Sequence, residues 1–172
     1  MIESYEGILP TIPETAWIHE TAVVIGDVTL AESVSVWPTA VLRGDVHRIE
    51  VGARSNIQDG VIVHVAHKGP YQNGFPAIIG EDVTVGHRAV IHACTVGNRV
   101  LVGMGAIVLD GAVIEDDVMI GANTLVPPGK RLESGFLYLG SPAKAARPIT
   151  DTEREQLPYS AQHYMRLMNR HR

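Results

Sequence analysis

An aliphatic residue recurs every six positions along most of this chain. The series starts at Ile18 and runs through Val24, Leu30, Val36, Leu42, Val51, Ile57, Val63, Ile79, Val85, Ile91, Val96, Val102, Val108, Ile114, Ile120 and Val126. Two residues before most of them stands a small or β-branched residue, such as Ala22, Val34, Ala89 or Ala106. Gly follows directly at Gly52, Gly80, Gly86, Gly97, Gly103 and Gly121. A helix repeats near 3.6 residues and a plain strand at about 2, so neither explains the beat. A six-residue period is the mark of a β-solenoid. It predicts triangular coils of three hexads, one short strand per side, stacked at the ~4.8 Å strand spacing.

The 172 residues suffice for one domain with a substantial core. The pattern divides it into an irregular lead-in over 1–17, a β-helix over 18–130, an exit segment over 131–150 and a C-terminal helix over 151–172. Pro127-Pro128-Gly129 reads as the stop. Thr150 or Thr152, each with Glu three residues on, reads as the helix cap. Leu157, Ala161, Tyr164, Leu167 and Met168 give that helix an apolar stripe, and Pro158 predicts a break in it.

Aromatic residues make up only 5% of the chain, so the core must be aliphatic, as a narrow solenoid requires. The net charge of −5 argues against nucleic acid or an anionic membrane surface as partner. No apolar run is long enough to span a bilayer, and Met1-Ile2-Glu3-Ser4 does not read as a secretory signal. The single cysteine, Cys94, reads as a small packed hydrophobe, and a cytoplasmic location fits it.

The rhythm breaks in three places. Three extra residues stand between Leu42 and Val51, and ten between Val63 and Ile79, while one is missing between Ile91 and Val96. Insertions in a repeat array often mark the functional face. Five of the eight histidines, His47, His64, His67, His87 and His92, fall in this region. His64 and His92 each follow a guide residue directly, and those guides lie three hexads apart. Both side chains should therefore point outward on one wall, about 5 Å apart, where two imidazoles can converge on a metal. Arg43 joins their column. Asp59 and His87 each follow a guide by two and share a column on another wall, beside Gln58. His87 thus cannot readily meet His64 and His92 within one chain. It can meet the matching pair of a neighbouring chain, and a ring of three closes such contacts. A three-His site with an open fourth position is the catalytic zinc pattern. His19, His163 and His171 read as surface residues, and His47 and His67 as loop polarity.

Taken together, Trp37-Pro38, Arg43-Gly44-Asp45, the run from Arg54 through Asn56, Gln58 and Asp59 to Gly60, then His64, Gly86-His87 and His92 resemble the γ-class carbonic anhydrase family. The match spans nearly the whole chain and looks nearest to its compact bacterial branch. The resemblance implies a left-handed parallel β-helix and a homotrimer with metal sites between subunits. His64 and His92 would come from one chain and His87 from the next. It also implies an inter-subunit salt bridge of Arg43 with Asp45, Gln58 hydrogen-bonded to the water at the metal, and Asp59 supporting that network. Archetypal members carry proton-shuttling glutamates near the site. Here Val46 follows Asp45, and the loop 65–78 has no Asp or Glu. His67 is the one residue of that loop whose ordinary pKa suits proton transfer.

The leading expectation is reversible hydration of CO2 to bicarbonate by a zinc lyase, with iron or cobalt as other metals three imidazoles would accept. The same site could serve a metal-dependent thioesterase or other hydrolase, or a low-activity trimeric metal-binding scaffold. A hexapeptide acyltransferase is the reading suggested by Gly140-Ser141-Pro142-Ala143-Lys144, but it leaves the His64–His92 column unexplained.

Overall fold

In the computed structural model, which describes residues 1–172, successive guide residues fall in turn on three walls. Each guide pairs in parallel register with the guide one coil on. The first wall stacks Val24, Leu42, Val63, Ile91, Val108 and Val126. The second stacks Leu30, Val51, Ile79, Val96, Ile114 and Leu132. The third stacks Ile18, Val36, Ile57, Val85, Val102, Ile120 and Tyr138. The result is a left-handed parallel β-helix, an exception to the right-handed rule for parallel crossovers. All the guides read from the sequence are buried except Ile18, which lies at the open lower end and is half-buried.

The corners explain the short spacing. Three residues after a guide the backbone turns with a positive φ, at Thr39 (61°), Arg54 (62°), Asp82 (54°), Arg99 (53°) and Asp117 (56°). L-residues resist this region. Several of these corners compensate by pairing charges from coil to coil. Arg54 Nε donates to Asp82 Oδ1 and Arg99 Nε to Asp117 Oδ1, both at 2.8 Å. On the second wall the middle coils approach so closely at Gly52, Gly80 and Gly97 that a side chain after the guide would meet the next coil's backbone or side chain. A Cβ on Gly52 would lie 2.5 Å from the Gly80 carbonyl carbon.

The solenoid outruns its expected limits at both ends. Strand Ile2–Glu3 in the lead-in pairs with Val24 and Ile25, and Thr11 bridges to Thr29. Pro127-Pro128-Gly129 forms a corner and not a stop, since Gly129 repeats the φ of 68° seen at Gly105. Leu132 and Tyr138 then fill the next two guide positions, so the coil continues through the segment expected to be its exit.

The helix, Asp151–His171, lies across the third wall. Thr150 is its cap: Glu153 N–H donates to Thr150 Oγ1 at 3.1 Å and Thr150 N–H to Glu153 Oε2 at 2.9 Å. It runs unbroken through Pro158, contrary to the break expected there. Proline costs the helix one hydrogen bond and some strain, and tertiary packing outweighs it. Leu157, Ala161 and Met168 are buried on either side of that residue. Beyond the helix, the Arg172 guanidinium donates to the carbonyls of Glu14 (3.3 Å), Thr15 and Ala16 (3.0 Å) in the lead-in.

Replacing the fully buried Val102 or Ile120 by Asp strands a charge in an aliphatic core. It should lower stability by more than about 4 kcal/mol, read by denaturant unfolding. A variant that unfolds like the parent would contradict the inward assignment. The helix cap makes a second prediction. Hydrogen bonds from Arg147 and then from the Thr150 backbone hold the Glu153 carboxyl down at about 2. Its contribution is therefore complete above the ordinary glutamate range and is lost as pH falls toward about 2. Glu153→Gln should destabilise at neutral pH, with the gap to the parent closing progressively in acid.

Candidate metal centre between coils

The strand Val41–Val51 runs from the first wall around the corner to the second, beside Val23–Leu30. The three extra residues enter as a bulge. Gly26 pairs with Gly44 but Val28 pairs with Ile49, so Asp45 to Arg48 are pushed outward. On this wall the strands Ile62–His64 and Val90–His92 extend one residue past the guide. That residue points outward, at the offset where the middle coils of the second wall carry glycine. Arg43, His64 and His92 consequently stack in register, one per coil. The His64 and His92 ring centres are 5.2 Å apart.

Each of three histidines leans on an aspartate through one ring nitrogen. His64 Nε2 lies 2.9 Å from Asp45 Oδ1, His92 Nδ1 lies 2.5 Å from Asp110 Oδ1, and His87 Nδ1 lies 2.9 Å from Asp59 Oδ2. A carboxylate only accepts, so each of those nitrogens carries the proton. With that proton placed, the other nitrogen of an imidazole that carries only one is an acceptor. His64 Nδ1 and His92 Nε2, both of this kind, face each other at 3.2 Å. Two opposed lone pairs can share a cation, a proton or a metal ion. Two nitrogens on a tetrahedral zinc with ordinary bond lengths stand about 3.3–3.4 Å apart, so the pair fits a metal without rearrangement. Burial raises the pKa of Asp45, but hydrogen bonds from His64 and Arg43 outweigh it and hold the carboxyl below the usual range. Arg43 pairs with Asp45 inside the chain.

His87 lies on the third wall, and its own column holds Asp59. No three metal-ligating side chains meet within the single chain. Gln58 is 4% exposed and lines, with His87, Met104, Met119 and Tyr164, a groove of about 400 Å³ beside the helix. Burial, and then the Asp59 charge, push the Tyr164 phenol up. The ten-residue insertion folds into a small hairpin, with Ala66 bridged to Phe75 and Gly69 to Gln72. His67 stands exposed on it and shares a separate groove with Asp45, His47, Glu6 and Asp27.

A model of bacterial transferase hexapeptide repeats (six repeats) matches residues 93–128. Protein YrdA of Escherichia coli is 57% identical over 96% of this chain and 91% of its own length. The mitochondrial gamma carbonic anhydrase 2 of Arabidopsis thaliana is 44% identical over 94% of the chain, which spans only 58% of that longer protein. The structure superposes on a hexapeptide transferase family protein from Anaplasma phagocytophilum with a TM-score of 0.90. The two are 43% identical, over 96% of this chain and 95% of that one. The chain belongs to the γ-carbonic-anhydrase-like family of hexapeptide-repeat proteins.

Two features of this family member escape a reading of the sequence for histidines. Asp110 follows its guide Val108 by two, the offset at which Asp59 follows Ile57, and that offset could have revealed it. The polar chain behind Gln58, through Asn56 and Thr84 to Ser160, depends on where the helix docks, which no hexad encodes. Cys94 is 2% exposed, and burial, with the nearby Asp110 charge, pushes its thiol up to about 12. The thiol stays protonated and packs as a hydrophobe.

Proposed function

We propose that the protein is a γ-type carbonic anhydrase that hydrates CO2 reversibly at metal sites shared between the subunits of a homotrimer. The observation that carries this reading is the pair of bare imidazole nitrogens, His64 Nδ1 and His92 Nε2, opposed at 3.2 Å with a carboxylate behind each ring. Carboxylate partners of this kind orient ligating histidines and raise their basicity. His87, backed by Asp59 in the same way, supplies the third imidazole from a neighbouring chain. Zinc suits three imidazoles, and when bound it makes hydroxide available at neutral pH. Gln58 orients the nucleophilic oxygen by hydrogen bonding. Arg43 holds Asp45 against His64. His67, exposed beside Asp45, passes the proton released by hydration to buffer.

The walls support the ring. Outward on the first wall, Val23, Val41, Ile62, Val90, Ile107 and Leu125 stack into an aliphatic ladder beside the histidine column. Ile62 is 39% and Ile107 36% exposed. The third wall, above the helix, presents Leu101, Met119 and Leu137, with Met104 exposed nearby. Apolar patches of this kind mark interaction surfaces. Two different patches on adjacent walls of a triangular prism join head to tail and close after three copies. That contact brings His87 of one chain toward the histidine pair of the next.

Two experiments test the reading. Asp110→Ala removes the acceptor that fixes His92 and should weaken zinc affinity by about 10–100-fold in a competition titration, with the fold intact. Mixed trimers test the sharing. His87→Ala alone, and His64→Ala with His92→Ala, should each bind metal poorly and lack CO2 hydration. Together in exchanged trimers they should recover both, because some interfaces join an intact pair to an intact His87. Confirmed exchange without recovery would refute the shared site.

A further inference from the structure

We propose that the C-terminal helix positions the catalytic amide: Ser160 holds a buried hydrogen-bond chain in the one arrangement that turns the Gln58 carbonyl toward the groove. The chain begins at Gln58, whose Nε2 donates to Asn56 Oδ1 at 3.1 Å. Asn56 Nδ2 donates to Thr84 Oγ1 at 3.1 Å and to the Val83 carbonyl at 3.3 Å. The Thr84 hydroxyl donates to Ser160 Oγ on the helix at 3.0 Å. Asn56 is fully buried and Thr84 is 3% exposed, so the middle of the chain lies beneath the surface while Ser160 is half-buried at the groove.

The direction of the chain follows from its donors. Val83 presents a backbone carbonyl, which cannot reverse, and Asn56 must aim its amino group there. Asn56 Oδ1 then faces Gln58 and takes its amino group. Gln58 Oε1, which no protein donor engages, is left for the groove it shares with His87. Thr84 is the one ambiguous link, because a hydroxyl both donates and accepts. With its proton on Ser160 it offers Asn56 a lone pair. Without Ser160 the Thr84 hydroxyl loses the acceptor that draws its proton away from Asn56 Nδ2, and the Asn56 amide on which Gln58 Nε2 leans is no longer held from that side. The Gln58 amide then loses its fixed orientation. Oε1 accepts and cannot donate, so the site holds an oxygen nucleophile by its O–H, as hydration of CO2 requires. This last step rests on the carbonic anhydrase reading.

The test uses the intact, metal-free protein labelled with nitrogen-15. In the parent, the side-chain amide protons of Gln58 and Asn56 should exchange slowly with solvent. In Ser160→Ala and Thr84→Val, those of Gln58 should exchange about tenfold faster, with the backbone spectrum and thermal midpoint little changed. Ser160→Thr and Thr84→Ser keep the hydroxyls and should restore protection. Unchanged Gln58 exchange in both disruptive variants would overturn the proposal. In the zinc-loaded enzyme the same two variants should lower kcat for CO2 hydration with little change in KM, and the conservative pair should rescue it. Equal kcat in parent and disruptive variants would also overturn it. If exchange responds as stated while the parent does not hydrate CO2, the positioning stands and the carbonic anhydrase reading falls.

Discussion

Parallel backbone ladders between coils set the position of every outward side chain in this protein. Each guide pairs with the guide one coil on, along all three walls. A side chain's column is therefore decided by its distance from the nearest guide, and its height by the coil it occupies. Irregular segments disturb this lattice only locally. The extra residues after Leu42 leave as a bulge, and those after Val63 leave as a hairpin, yet Val51 and Ile79 return to register. The lattice can thus absorb insertions beside a site without moving the histidines that make it.

Electrostatics then give the columns their chemistry. Histidines stacked one coil apart would be unremarkable if their free nitrogens pointed to solvent. Here a carboxylate behind each ring dictates which nitrogen is protonated, and the two left bare converge. The aspartates come from different coils and from different offsets, Asp45 from a bulge and Asp110 from a regular hexad. The same device recurs at His87 and Asp59 on another wall. One local solution thus occurs three times on two walls.

Much of this was legible in the sequence because a solenoid converts spacing directly into geometry. The walls of His64, His92 and His87, the column of Arg43 and the pairing of Asp59 with His87 follow from counting hexads. What was not legible had other physical origins. Pro127 and Pro128 look like terminators, but a corner needs no strand hydrogen bond from them, so the coil passes through to Leu132. Tyr138 fills a guide position with an aromatic ring and falls outside an aliphatic pattern. Pro158 should interrupt a helix, but the buried residues around it hold the helix straight against the wall. The chain from Gln58 to Ser160 joins residues far apart in sequence through a helix whose docking no period describes.

The Arg172 contact with the carbonyls of Glu14, Thr15 and Ala16 changes the mechanics of the whole array. A stack of coils is a linear object that frays from its termini, because each coil touches only its neighbours. Here Arg172 is buckled onto the lead-in below the first full coil, and the helix before it lies along the third wall like a splint. Peeling the lower coil away breaks that clasp as well as the coil's own ladder. Loosening at either end is coupled to the same helix, and the open cylinder behaves as a closed hoop.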